Sequence, residues 1–233
     1  MVEHSLWERV AVGSNPIIPI AARHPQYFLV IMNTSESSYI EPSNKHIVAN
    51  DPFVFYEQII PEKLVDLMVE ELPKYEEQFV EAQIGDSTNG ALLESARDSK
   101  ISWMYEDDWV SSTFAHYFHL ANKEYWEYDL NGLDGVQITR YDQGDHYAWH
   151  SDYGTAEDNR YTRKLSATLL VTDPSEYDGG ELEFIDYHNN PVVAPSEKGT
   201  MIVFDSRIPH RVRPVTRGTR ISLVTWMLGP KLR

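Results

Sequence analysis

Apolar residues recur along this chain with two periods, and the change of period divides it. In 61–82, Leu64, Leu67, Met68 and Leu72 recur at helical spacing with Asp and Glu between them. Pro61 suits a first helical turn, and Pro73 should kink or end the first part. A second helix is expected over 107–129, carrying Phe114, Tyr117, Phe118, Tyr125 and Trp126. From Gly135 onward the runs shorten to strand length, at 136–141, 165–172, 181–185, 200–205, 210–215 and 220–227. Turn signals separate them: Asp178-Gly179-Gly180, Asn189-Asn190-Pro191, Lys198-Gly199 and Arg217-Gly218. Upstream, 46–56 reads as a short strand and 83–100 as a polar loop. Residues 1–45 read as an N-terminal extension, with a strand-like apolar run at 27–32 and a turn-rich stretch at 33–44. Helices followed by closely spaced strands predict an α+β domain over 46–233, built on a β-sandwich or barrel.

Composition narrows the chemistry. The 42% hydrophobic content supports a real core, and the 12% aromatic content suits pleated surfaces. The formal charge of −16 repels phosphate backbones, so no nucleic-acid partner is expected. With no cysteine, disulfides, zinc–thiolate sites, iron–sulfur clusters and cysteine nucleophiles are all excluded. Any metal must therefore be held by His, Asp or Glu. The first residues lack a signal-peptide pattern, and the apolar stretch 17–32 is broken by Pro19, Arg23, His24 and Pro25. A cytoplasmic protein without a membrane partner is the expectation.

The segment around His150-Ser151-Asp152 carries the most chemistry. On an extended stretch, residues two apart leave the same face, so an imidazole and a carboxylate converge. His210, in Ile208-Pro209-His210-Arg211-Val212, is the candidate third ligand. Two histidines and one carboxylate on one face suit non-haem iron(II) and leave positions open for a chelating co-substrate and oxygen. A His-x-Asp pattern also arises by chance in so acidic a chain. A hairpin around 216–219 is expected to place His210, Arg220, Ser222 and Trp226 on one inward face. A buried Arg220 there needs an anionic partner, such as the carboxylate of a chelated ligand, with Ser222 as a second donor. His116 and His119 read as ordinary packing or surface residues, His146 as a rim residue and His188 as surface.

These residues extend into a longer likeness. Arg140-Tyr141, Gly144, Tyr147 and His150-Ser151-Asp152 are followed in order by four further blocks: Leu165-Ser166-Ala167-Thr168-Leu169, Tyr177-Asp178-Gly179-Gly180-Glu181-Leu182, Lys198-Gly199 and His210-Arg211-Val212-Arg213-Pro214-Val215. Gly218 and Arg220-Ile221-Ser222 close the series. The block 135–229 resembles the 2-oxoglutarate and iron(II)-dependent oxygenase superfamily, in its prolyl 4-hydroxylase-like branch. More weakly, 46–72 resembles the strand and helix that open this domain, and Arg97-Asp98-Ser99-Lys100-Ile101-Ser102-Trp103 a family strand near the site. The resemblance implies a double-stranded β-helix (jelly roll) core flanked by N-terminal helices. It implies His150, Asp152 and His210 as iron(II) ligands and Arg220 as partner of the 2-oxoglutarate C5 carboxylate. Ser222, Tyr141 and Tyr147 are further candidates beside that co-substrate. A strand tyrosine of some relatives is matched by Leu170, and Ser222 or Thr168 is expected to replace its hydrogen bond.

The reaction so implied consumes 2-oxoglutarate and O2, releases succinate and CO2, and hydroxylates an unactivated C–H bond, with ascorbate a candidate further cofactor. Asp152 argues against the halogenating relatives, which lack that carboxylate. The expected substrate is a prolyl or other peptidyl residue. A free amino acid or small metabolite is the alternative. Two other classes compete: a non-catalytic jelly-roll binding module, and a zinc hydrolase, which leaves Arg220 and Ser222 unexplained. The polar segment 153–163 is expected to form a lid. Oligomeric state is not legible.

Overall fold

The computed structural model describes residues 46–47, 53–82, 97–104, 109–154 and 161–231. The chain divides into two units, 1–39 and 40–233, and every described residue belongs to the second. The expected strand at 27–32, the turn-rich stretch 33–44, most of the loop 83–100 and the middle of the 153–163 segment lie outside the described residues.

Fifteen strands are described, in antiparallel pairings: β1 His46–Ile47, β2 Phe53–Tyr56, β3 Val80–Glu81, β4 Arg97–Asp98, β5 Lys100–Met104, β6 Gly132–Tyr141, β7 His146–His150, β8 Tyr161–Leu170, β9 Asp178–Gly179, β10 Leu182–Ile185, β11 Pro191–Val193, β12 Met201–Asp205, β13 His210–Val212, β14 Val215–Arg217 and β15 Arg220–Pro230. The major sheet runs β1-β2-β12-β8-β15-β6-β5-β3 and the minor sheet β11-β10-β13-β7-β4, with β14 and β9 as a separate pair. Helices are few: α1 Glu62–Glu71 and α2 Trp109–Ala121, each continued by a short turn of different pitch.

Alternation along the major-sheet strands explains their sequence. Val136, Ile138, Leu165, Ala167, Leu169, Met201, Val203 and Leu223 share one buried cluster with Val65 and Met68 of α1 and Val110, Phe114 and Phe118 of α2. Their neighbours on the opposite face, among them Tyr141, Leu170, Ile202 and Phe204, join a second cluster with Phe184 and Val212 of the minor sheet. A sheet covered on both faces needs apolar residues at both parities, which is why its strands read as nearly continuous runs.

Several expectations need correction. The helix expected over 61–82 ends at Glu71, because Pro73 has no N–H to continue the ladder; Leu72–Gln78 form a 3-10 turn and Val80–Glu81 a strand. Its buried stripe is Val65, Met68 and Leu72, while Leu64 and Leu67 face solvent. The helix expected over 107–129 stops as an α-helix at Ala121, with a π turn ended by Glu127 in the left-handed region. The single strand expected over 46–56 is two paired strands. The polar loop expected over 83–100 gives way to strand at Arg97–Asp98 and Lys100–Met104, beside β7 and β6, in keeping with the likeness of 97–103 to a family strand.

The largest correction concerns the expected hairpin. β13 pairs with β10 and β7 in the minor sheet, β14 pairs with β9, and β15 lies between β8 and β6 in the major sheet. The 210–230 stretch therefore crosses from one sheet to the other. His210 and Arg220 approach one space from opposite walls, not from neighbouring strands.

Candidate active site

Between the sheets lies a cavity of about 300 Å³ whose lining includes His150, Asp152, His210, Arg220, Ser222 and Trp226. Tyr141, Tyr147 and Thr168 line it too. All seven residues picked out from sequence as metal or co-substrate candidates thus reach one space.

β7 reaches it through an irregularity. His150 lies opposite His210, but Tyr147 lies opposite Val212, so three steps on β7 match two on β13. This bulge resets the alternation and turns both Tyr147 and His150 inward. Their rings stack at 3.4 Å between centroids. Simple period-two reading from His150 would have sent Tyr147 outward. His146, on the other side of the reset, does not line the cavity and is partly exposed.

Each histidine is oriented by its own backbone. His150 Nδ1 lies 2.9 Å from the Ala148 carbonyl oxygen, and His210 Nδ1 2.9 Å from that of Ile208. A carbonyl only accepts, so Nδ1 carries the proton, and in the neutral tautomer Nε2 keeps its lone pair. The Nε2 atoms lie 3.5 Å and 3.6 Å from the two oxygens of Asp152. One ligand atom from each residue lies within 4.8 Å of the other two. Two neutral imidazole nitrogens and a carboxylate, converging without a thiolate, fit a divalent first-row metal.

The surroundings hold this arrangement. His210 packs beside Phe204 at 4.7 Å and Phe184 at 5.8 Å. Burial pushes its pKa down to about 4, against the upward pull of Asp152. Burial by itself would raise Asp152, but the imidazoles of His210 and His150 and the nearby Trp226 indole together hold it well below the carboxylate range. The Trp226 N–H is buried and completes no well-formed hydrogen bond among the described residues.

The opposite wall is cationic. Arg220 is 2% exposed, donates from Nη1 to Ser222 Oγ at 3.1 Å, and lies 5.6 Å from the centre of the buried Tyr141 ring. Among the described residues it has no carboxylate partner. Burial raises the Tyr141 hydroxyl above its usual range, and pushes that of Tyr147 up to about 12. Room for the Arg220 stem comes from Gly180. Its φ is +66°, and a Cβ there would meet Arg220 Cδ and Val215 Cγ2 at 2.9 Å. Leu170 does not reach the main cavity. It lines an adjoining space of about 220 Å³ that shares Arg220, whereas Thr168 and Ser222 line the main one.

His116, His119 and His188 are exposed, as read from sequence. Arg97, Gln137, Thr139 and Arg163 also line the cavity and were not singled out. Arg97 stood inside a quoted stretch, but its inward turn depends on pairing opposite Tyr147, beyond the bulge.

Comparison with known proteins agrees with this geometry. Residues 136–228 match the profile of the 2OG-Fe(II) oxygenase superfamily. A PKHD-type hydroxylase of Bordetella pertussis is 39% identical over 96 residues, covering 39% of this chain and 41% of that protein. One from Gloeothece citriformis is 36% identical over 95 residues, covering 41% and 43%. The match thus spans about two-fifths of the length of these curated relatives. Among solved structures, a Pseudomonas putida prolyl-4-hydroxylase shares the fold with a TM-score of 0.59 at 22% identity, over 76% of this chain and 92% of that one. A Trichoplax adhaerens prolyl hydroxylase, solved with a hypoxia inducible factor peptide fragment, has a TM-score of 0.62 at 18% identity, over 76% and 83%. The sheets described above are therefore similar to the double-stranded β-helix of prolyl 4-hydroxylases.

Proposed function

Starting from a segment, 136–228, that belongs to the 2OG-Fe(II) oxygenase superfamily, we propose that this chain is an iron(II)- and 2-oxoglutarate-dependent hydroxylase of the prolyl 4-hydroxylase-like kind. The substrate in this reading is a prolyl or other peptidyl residue. One observation carries it: a single cavity holds both a His-Asp-His set and a buried guanidinium without a carboxylate.

In this reading His150, Asp152 and His210 hold iron(II). When bound, the iron with 2-oxoglutarate and O2 supplies the oxidising power for C–H hydroxylation. The protein's own residues orient and enclose. Arg220, steadied by Ser222, grips the C5 carboxylate with two parallel N–H donors. Thr168 offers a hydroxyl on the same wall, in place of the tyrosine that Leu170 replaces. Tyr141 and Tyr147 flank the co-substrate and limit its tilt. Leu182, Phe204 and Val212 exclude water around it, which strengthens every polar contact inside. Among the described residues no helix is long and apolar enough to cross a membrane.

The test is calorimetry under anaerobic conditions, with succinate release measured in air. Wild-type protein should bind iron(II) and then 2-oxoglutarate. His150→Ala should lose the metal. Arg220→Ala should keep it and weaken 2-oxoglutarate about 30-fold or more, the effect of unpairing a buried charge. Normal 2-oxoglutarate binding by Arg220→Ala would sink the assignment of that residue. A wild-type protein that binds neither iron nor 2-oxoglutarate would favour the binding-module reading.

A further inference from the structure

The described arginines of this domain follow a rule with two exceptions. Arg140 pairs with Asp142 and Glu76, Arg163 with Asp134, Arg207 with Asp205, Arg211 with Glu183, Arg213 with Glu181 and Glu183, and Arg217 with Asp178. With 36 acidic residues against 20 basic ones, a carboxylate is rarely far from any guanidinium. Among the described residues only Arg97 and Arg220 have none, and both line the same cavity. Chance scatter over the surface does not place both exceptions at one site.

Among the described residues Arg97 is held only by neutral groups. Its Nε donates to Ser99 Oγ at 2.9 Å and its Nη2 to Gln137 Oε1 at 3.2 Å. That amide oxygen also accepts from Thr139 Oγ1 at 3.2 Å. Gln137 stands on β6 of the major sheet and Arg97 on β4 of the minor one, so the guanidinium spans the gap between the sheets at their β4–β5 edge. Its Cζ lies over the Tyr147 ring, 4.5 Å from the centre, and that ring also stacks on His150 at 3.4 Å. These contacts fix the cation in orientation and leave its Nη1 without a protein acceptor among the described residues. A guanidinium so pre-organised and so little neutralised is a receptor for a planar anion.

Resting on the function proposed above, we propose that Arg97 binds a carboxylate of the substrate. 2-Oxoglutarate has two carboxylates; one chelates the metal and the other takes Arg220, so it leaves no anionic group for Arg97. The second anion then belongs to the molecule that is hydroxylated. The cavity, about 300 Å³ with the co-substrate's share included, is at the small end for ligand pockets. The part of the substrate that enters is therefore the size of one amino acid. A free amino acid meets both conditions through its own carboxylate. A peptide meets them with an acidic side chain beside the target residue.

Matched acid and amide pairs test this, titrated anaerobically into protein loaded with iron(II) and 2-oxoglutarate. One arm uses free proline, leucine and lysine against their carboxamides. The other uses blocked pentapeptides with Asp or Asn beside proline. In wild-type protein at least one acid should bind about tenfold or more tightly than its amide. In Arg97→Gln that ratio should fall to about one, with iron content and 2-oxoglutarate affinity unchanged. The arm in which the preference appears identifies the source of the carboxylate. The inference is overturned if no acid in either arm outbinds its amide, if the preference survives in Arg97→Gln, or if that variant weakens 2-oxoglutarate. Failure of the parent reading looks different, since wild-type protein would then not bind 2-oxoglutarate before any substrate is added.

Discussion

The two walls of the cavity are built by different means. On the minor-sheet side, His150 and His210 come from strands of five and three residues, joined across a bulge. Each imidazole is steered by the carbonyl two residues before it. On the major-sheet side, Arg220 and Ser222 come from a strand of eleven residues, paired along most of its length to both β8 and β6. Their alternate neighbours, Leu223 and Met227, are packed under the helices. The histidine wall is thus set by short local strands packed on the second, smaller cluster, whereas the arginine wall backs onto the larger cluster under the helices. Substitutions on the first should change binding with little loss of stability. Substitutions behind the second should change stability first.

Leu223→Ala is the sharpest way to break this contrast. Leu223 is fully buried behind the Arg220–Ser222 face, and its truncation should cost about 3 kcal/mol in urea unfolding. A loss under about 1 kcal/mol would mean the two walls are equally independent of the core. Gly180→Ala comes next. It strains a left-handed position and pushes a methyl against the Arg220 stem. The cost should be about 2 kcal/mol, with weakened 2-oxoglutarate binding and unchanged metal content.

Asp142 gives a smaller, pH-dependent effect. Burial would raise its pKa, but hydrogen bonds from Lys100, Thr219 and Arg140 bring it down to about 2. Because the folded value lies below the unfolded one, the stabilisation is complete above pH 4 and disappears as pH falls toward 2. With the side chain 28% exposed, Asp142→Asn should cost only about 1 kcal/mol at pH 7. That difference from wild type should shrink as unfolding is followed from pH 5 to pH 3; a constant gap would show that the ion pairs are not its source. Trp149→Ala should do least. Trp149 is 39% exposed on the outside of the histidine wall, under Arg211. A thermal midpoint within a few degrees of wild type is expected, since surface changes are usually within about 0.5 kcal/mol.

The same contrast explains what could be read from sequence. Major-sheet strands were legible because both parities are buried, so the apolar runs stand out. The convergence of His150, Asp152 and His210 could be anticipated because a divalent metal would call for those residue types whatever brings them together. The partnership of His210 with Arg220 was reached by a wrong route. A turn at 216–219 looks like a hairpin in sequence, yet β13 and β15 lie in opposite sheets, a long-range choice that local pattern does not encode. Arg97 escaped notice for a related reason. Its direction depends on the β7 bulge, and its lack of a carboxylate can be seen only once the other described arginines, Arg220 apart, have found one. Leu64 and Leu67 were misassigned because helical spacing fixes a stripe but not which neighbouring residue leads it.

Strand order also governs how the domain can be assembled. β6 and β8 flank β15 in the major sheet, yet both are synthesised before it. Until β15 arrives, each presents an unpaired ladder edge with apolar side chains on both faces. Closure is therefore a late, long-range event, and the nascent chain passes through a stage with two open edges prone to pairing with other chains. Slow refolding, and aggregation that worsens with protein concentration, are the kinetic signature to expect from a sheet whose central strand comes last.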